Sequence, residues 1–290
     1  MKFIETLING LSIGGVYAMI ALGYTMVYGI AKLLNFAHGE IIMIGGFTII
    51  LLISSVNPIL TILLAIIVCV VLGITVEKVA YRPLRGASPL AVLITAIGVS
   101  NILKNVAALK YPGGEWVMFE IVDLGILSIG DSLKIKWTTI ISIICTIVIM
   151  IALTLFIKYT RIGRAMVAVS EDNGASQLMG INSNFIIMIT FAIGSALAAV
   201  AGTFMLLESP QFSSELGSIP GIKAFTAAVI GGIGSIPGAM IGGVLLGVIE
   251  CLVKLTPADN FVDAIQFSLL IIMLLIKPTG ILGKKRREKV

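Results

Sequence analysis

The chain has 290 residues, 58% of them hydrophobic and 12% charged, with a mean hydropathy of +1.10. Soluble domains carry about 25% charged residues, so this composition excludes a soluble enzyme, a disordered chain and a collagen-like repeat, and indicates a polytopic membrane protein. The net charge of +5 does not indicate nucleic acid, because the basic residues sit at the ends of apolar runs and in the tail Lys284-Lys285-Arg286-Arg287, as in cytoplasmic membrane anchoring.

The first apolar run, Leu7–Ala31, is longer than the ~7–15-residue core of a signal peptide and lacks a small-x-small cleavage pattern. It reads as a first span. Further runs cover Ile41–Ile53, Ile59–Val76, Leu90–Leu109, Thr138–Ile157, Phe185–Leu207, Ile222–Ile233, Ile236–Val253 and Phe261–Ile276. Ile41–Ile53 and Ile222–Ile233 are too short to cross a ~30 Å hydrocarbon core as straight helices. The first can borrow the polar stretch Asn35–Glu40. The second ends in Gly231-Gly232-Ile233-Gly234-Ser235-Ile236-Pro237-Gly238, which cannot continue a regular helix. Broken spans point to transport sites, since irregular backbone at membrane depth survives only inside protein or beside a watery cavity. The expected fold is therefore an all-α bundle of eight or nine transmembrane segments, a single domain over residues 1–290. The short runs do not sit at matching offsets in the two halves, so no internal repeat is assigned.

Placing the 76–90 loop, the 157–185 loop and the C-terminus on one side, with Lys32 and Glu40, gathers there 13 of the 20 basic residues and five of the 15 acidic ones. That side is cytoplasmic by the positive-inside rule, and the tail 277–290 lies with it. The external loop 110–137 contains Ile126–Trp137, whose period-2 stretches around Gly130-Asp131 predict a small hairpin. The inner loop 158–184 predicts a short helix beginning at Glu171 and Asp172, with Ser170 as N-cap and Gly180 just past its end. Val169, Leu178 and Met179 would form its apolar side, suited to docking a soluble partner.

Small residues recur four apart in Gly10/Gly14/Ala18, Gly194/Ala198/Gly202 and Ala239/Gly243/Gly247, stripes that let helices approach closely in lipid. Glu250 and Lys254 read as a snorkelling pair near the outer end of their span, and Glu77 with Lys78 as interface anchors. Asn101 and Asn105 either bond across helices or touch a substrate. His38, the only histidine, is either a proton relay with Glu40 or a hydrogen-bonding residue at a bent helix start. Asp263 and Gln266 carry the same two readings as the asparagines. Cys69, Cys145 and Cys251 lie in apolar runs without paired spacing and read as small buried hydrophobes. No metal-ligand spacing is present. The nearest approach to a phosphate-binding loop, Gly280-Ile281-Leu282-Gly283-Lys284-Lys285, is too short and lacks the hydroxyl. There is no nucleophile elbow, and no cluster of ionisable residues that a membrane enzyme would need.

Several segments together resemble the permeases of branched-chain amino acid ABC importers of the LivH type. They are Leu33-Leu34-Asn35-Phe36-Ala37-His38-Gly39-Glu40; Tyr81-Arg82-Pro83-Leu84-Arg85; Arg161-Ile162-Gly163-Arg164-Ala165-Met166 with Leu178-Met179-Gly180-Ile181-Asn182; and Lys223–Ala239. They occur in the family's order over nearly the whole chain. The resemblance implies a multi-pass permease of the bacterial cell membrane, not an enzyme, that binds no cofactor. It implies two cytoplasmic ATPases that use the ATP, a homologous second permease and an extracytoplasmic binding protein. It also implies alternating access for leucine, isoleucine or valine. Arg161, Gly163, Arg164, Glu171, Asp172, Leu178, Met179 and Gly180 would then form the ATPase coupling loop. This loop departs from the EAA pattern of ABC importers, since Glu171 is followed by Asp172-Asn173-Gly174. The substrate pathway is expected at Asn35, Phe36, His38, Gly39, Glu40, Asn101, Gly231, Gly232 and Gly234. The alternatives are a permease for urea or short amides, and an ion-coupled secondary transporter using His38, Glu40 and Asp263.

Overall fold

The computed structural model describes residues 2–33, 35–110, 117–118, 121–122, 124–129 and 133–283. The Gly130–Ser132 turn, Leu34 and the basic tail from Lys284 lie outside these residues.

Nine apolar helices correspond to the nine apolar runs. Among the described residues, seven segments are long and apolar enough to cross a membrane: α1 (Lys2–Ala31), α3 (Pro58–Val76) with the turns that follow it, α4 (Pro89–Ala108), α5 (Trp137–Tyr159), α8 (Ser183–Glu208), α10 (Ile236–Val253), and α11 (Val262–Ile276) with the turn before it. Two are shorter, α2 (His38–Leu52) and α9 (Ser218–Gly231). Proline and a capping side chain set three of the starts. Asn57 accepts from the Ile59 N–H ahead of Pro58, Ser88 from Ala91 around Pro89, and Ser235 from Gly238 around Pro237. Each cap satisfies an N–H that the first turn leaves free, and proline costs nothing there because its position needs no donor.

At the centre, α1 is largely buried and runs antiparallel to α10. Their small-residue stripes meet: a Cβ on Gly14 would lie 2.8 Å from Val244 Cα, one on Gly243 2.4 Å from Ala18 Cα, and one on Gly247 2.1 Å from Gly14 N. The stripe of α8 is shared between neighbours, Gly194 facing Gly23 of α1 and Gly202 facing Ile42 of α2. On its other flank α8 receives α3, where Gly73 faces Ser195. The principal core gathers Met19, Ile20, Leu22, Ile41, Ile42, Leu246 and the alanines of α8 and α9. By contrast α3, α4, α5 and α11 turn large apolar side chains outward, including Ile67, Ile94, Ile102, Val148, Ile151 and Leu275. Such a surface is stable against hydrocarbon rather than water.

At the end holding the start of α5 and the end of α8, β1 (Val117–Met118) pairs antiparallel with β4 (Gln211–Phe212), and β2 (Ile126–Ile129) with β3 (Leu133–Lys136). The β2–β3 register sets Ile126 opposite Lys136. The inner loop is largely helical: α6 (Arg161–Glu171) and α7 (Asn173–Leu178) precede α8.

The α1–α10 approach leaves no room for a side chain. Gly247→Val is expected to lower stability by at least the ~1–3 kcal/mol typical of overpacking, read as a fall in the detergent-solubilised melting temperature; unchanged melting would show that these helices do not touch here.

Candidate functional site: two polar clusters and an exposed inner segment

The link between α1 and α2 is unwound. Lys32 closes α1 with its N–H on the Tyr28 carbonyl at 3.0 Å and takes a left-handed φ of +58°, a conformation uncommon outside glycine. Asn35 is buried, and its Oδ1 accepts from the Tyr81 hydroxyl at 2.7 Å. α2 then starts inside the bundle rather than at its surface. His38 lies against mid-helix glycines of α1 and α8: a Cβ on Gly23 would fall 2.4 Å from His38 Nε2, and one on Gly194 3.7 Å from His38 Cε1. A Cβ on Gly39 would sit 2.5 Å from the Gly217 carbonyl, so only glycine lets the starts of α2 and α9 meet. Aromatic rings enclose this junction, Tyr24 edge-on to His38 at 4.7 Å and Phe36 against Phe225 at 5.5 Å. Glu40, also buried, accepts from Ser100 Oγ at 3.1 Å and faces Lys104 Nζ at 3.7 Å.

The structure thus brings Asn35, Phe36, His38, Gly39 and Glu40 together, with Tyr24, Tyr81, Ser100, Lys104 and Phe225. It does not bring in Asn101, which is exposed about 100° around α4 from Ser100 and whose carbonyl accepts from Asn105 Nδ2 at 2.7 Å. Nor does it bring in Gly231, Gly232 and Gly234. These lie at the far end of α9, past Phe225, where a Cβ on Gly29 near the end of α1 would sit 3.4 Å from Gly234 Cα. There Gly232 and Gly234 take φ of +111° and +90°. The chain beyond α11 covers them, Ile281 N–H bonding the Ile230 carbonyl and Leu282 N–H that of Gly231.

A second cluster corrects the snorkelling reading of Glu250. Its carboxylate is 5% exposed and accepts from Tyr17 Oη at 2.8 Å, Lys223 Nζ at 3.1 Å, Gln266 Nε2 at 3.0 Å and Lys254 Nζ at 2.8 Å. Lys223 also pairs with Asp263 at 2.8 Å, so four helices, α1, α9, α10 and α11, are pinned at one point. Asp263 and Gln266 accordingly join Glu250, not His38. Tyr17 and Lys223 are the members that the sequence reading missed. The available signal was a lone lysine inside a short apolar run, since an unpaired ammonium there would be costly.

Glu77 is likewise no interface anchor. It is fully buried where α3 runs on as one wide turn, Glu77–Tyr81, followed by the tight turn Arg82–Leu84. Its carboxylate pairs with Arg82 at 3.3 Å and with Arg85, and Arg85 also donates to Asn184 Oδ1 at the start of α8. Burial, the larger cause, lowers the pKa of the Arg85 guanidinium from its ordinary value, and Glu77 beside it acts in the opposite direction.

In the inner segment, Thr160 caps α6 by accepting from Gly163 N at 2.9 Å. Gly163 is required because a Cβ would meet Ile157 Cα and the Phe156 carbonyl at 2.4 Å. Arg161 and Glu171 bound α6, and Arg164 Nη1 reaches the Tyr159 carbonyl at 3.4 Å. The expected cap Ser170 instead donates to the Val167 carbonyl, and Asp172 caps α7 by accepting from Ala175 N at 2.9 Å. The carboxylate is the stronger acceptor for a first-turn N–H, which moves the start two residues on. The supposed apolar side divides as well: Val169 is buried, whereas Leu178 and Met179 are 90% and 82% exposed. Gly180 ends the segment at φ +83° with open space where a Cβ would go.

The chain as a whole has relatives. The family model described as "Branched-chain amino acid transport system / permease component" matches residues 6–274. The chain belongs to that family. It is 44% identical to the high-affinity branched-chain amino acid transport system permease protein BraD of Pseudomonas aeruginosa, over 99% of this chain and 98% of that one. It is 42% identical to the permease protein LivH of Escherichia coli strain K12, over 100% and 98%. A probable LivH from Methanocaldococcus jannaschii is 27% identical over 91% and 88%. The match to BraD and to the E. coli LivH runs over 98% of each of those proteins, so each cluster above lies within the shared region.

Removing the Glu250 carboxylate would leave Lys223 buried with one remaining partner. Glu250→Ala is expected to cost about 3 kcal/mol, the low end for breaking a buried pair because Lys254 and Asp263 are half-exposed. Thermal unfolding of the purified protein checks this, and a melting point equal to wild type would refute the pinning role.

Proposed function

We propose that this chain is the permease subunit of an ATP-driven importer of branched-chain amino acids. The observation that carries the reading is the 42–44% identity to BraD and LivH over essentially the full chain. The partners follow from the division of labour: two cytoplasmic ATPases, a homologous second permease, and an extracytoplasmic binding protein that supplies the substrate. The chain itself catalyses no reaction and binds no cofactor; ATP is used by the ATPases. The concentration of Lys and Arg supports a cytoplasmic face at Lys78–Arg85, Lys158–Arg164 and the C-terminus.

The exposed Leu178-Met179 pair, held on α7 and ended by Gly180, supports docking into an apolar groove of an ATPase. Closure of the ATPase dimer then pulls on α8, which continues directly from this segment. The bundle responds by changing the side to which its pathway opens. The pathway is assigned to the Asn35–Glu40 cluster, where two half-length helices begin inside the bundle. Its aromatic and aliphatic lining suits a side chain such as leucine's and offers few tight contacts, which release requires.

Reconstitution with the neighbouring subunits is expected to give ATP-dependent leucine uptake and no urea uptake; the reverse preference would overturn the substrate. Gly180→Leu forces a side chain into a left-handed backbone at a cost of ~1–2 kcal/mol and is expected to reduce co-purification of the ATPase without preventing membrane insertion. Undiminished co-purification would move the docking site elsewhere.

A further inference from the structure

Polar contacts at either end of the wide turn Glu77–Tyr81 join the exposed inner segment to the unwound α1–α2 link. They begin at Asn184, in the first turn of α8 and six residues past Leu178. Asn184 Oδ1 accepts from Arg85, and Arg85 pairs with the buried Glu77. Glu77 opens the wide turn that ends at Tyr81, and the Tyr81 hydroxyl donates to Asn35 Oδ1 at 2.7 Å. Along the same line the Tyr81 ring packs on Phe191 of α8 at 5.4 Å. Glu77 and Tyr81 are fully buried and Arg85 is partly buried, while Asn184, where the contacts begin, is exposed at the surface.

Two features make this more than a structural tie. First, the wide turn Glu77–Tyr81 closes α3 and runs straight into the tight turn Arg82–Leu84, and wide turns of this kind are rare and recur at functional sites. Tightening it to ordinary helical pitch would rotate Tyr81 about the helix axis and away from Asn35. Second, the receiving end is incompletely satisfied. Among the described residues Asn35 Nδ2 is buried without a hydrogen-bond partner, so the link holds hydrogen-bonding capacity that another arrangement can use. A bistable element with an input at one end and an unspent polar group at the other is what coupling between distant sites requires.

We infer that Asn184, Arg85, Glu77 and Tyr81 are positioning residues that transmit displacement of the α6–α7 segment to the α1–α2 link at Asn35, through the wide turn Glu77–Tyr81. The inference rests on the reading that this segment meets the ATPase. When α8's first turn moves, Asn184 draws Arg85, the Glu77 pair shifts the wide turn, and Tyr81 releases or recaptures Asn35.

The test uses the whole importer in lipid vesicles, with Cys69, Cys145 and Cys251 replaced by Ala and a Phe36→Cys reporter beside Asn35. The rate of maleimide labelling is compared with and without ATP plus vanadate, and ATP hydrolysis is measured in parallel. The unmutated relay is expected to change the labelling rate about tenfold on trapping. Tyr81→Phe, which removes one oxygen atom, and Asn184→Leu are expected to abolish that change while leaving hydrolysis intact. Asn184→Asp, which keeps an acceptor for Arg85, is expected to preserve it. The relay is overturned if labelling does not respond to trapping in the unmutated protein, if the response survives in Tyr81→Phe, or if hydrolysis falls together with it. Should Asn184→Leu fail to assemble, Tyr81→Phe decides alone. Because labelling does not depend on the cargo, a failure of leucine uptake with the response intact would refute the substrate assignment and support the relay.

Discussion

Everything in this bundle depends on backbone meeting backbone along α1. With Gly14 and Gly247 in direct contact and Ala18 against Gly243, α10 lies close enough to α1 for Tyr17 to reach Glu250. On its other side Gly23 meets His38, which draws the start of α2 into the bundle interior. In hydrocarbon no hydrophobic force drives helices together, so close van der Waals packing must supply the association. A single methyl group on these faces would separate helices that the polar clusters need side by side.

The two carboxylates that this packing encloses have different situations. Glu250 has four donors on three other elements and its own helix, with Lys223 held in turn by Asp263. It is saturated, and such a site resists movement because each partner would be left unpaired. Glu40 is held by Ser100 and by a longer approach from Lys104, with one carboxylate oxygen unpartnered among the described residues. The first cluster therefore ties α1, α9, α10 and α11 into a fixed frame. The second sits where α2 and α9 begin, beside groups with hydrogen bonds still to make. A transport cycle needs both, a rigid frame and a region that can rearrange against it.

The positions of all nine apolar helices were legible because apolar run length is a local property, and glycine, proline and capping residues mark the ends. The Asn35–Glu40 segment was legible as a polar interruption too short to ignore. The partners were not. Ser100 and Lys104 lie beside Asn101 and Asn105 in α4, and the sequence gives no means of telling which flank of an exposed helix faces α2. Glu250 and Lys254 show a four-residue spacing that suggests a closed pair, yet three of Glu250's partners come from residues 16 to 233 positions away. The start of α7 was misplaced by two residues because Ser170 and Asp172 are both good caps, and the continuation of α6 through Glu171 decided between them.

The sequence by itself determined the class of molecule: apolar helices for a bilayer, two of them too short to span it, small residues where helices must touch, and basic residues concentrated on one face. Those properties follow from composition and spacing along the chain. Only the tertiary structure decided which charges are buried and with whom, that the glycine turn after α9 packs on Gly29 of α1 under the chain beyond α11, and that Tyr81 reaches the α1–α2 link at Asn35. The energy of a buried polar group is set by neighbours from other helices, and their choice depends on how the whole bundle packs.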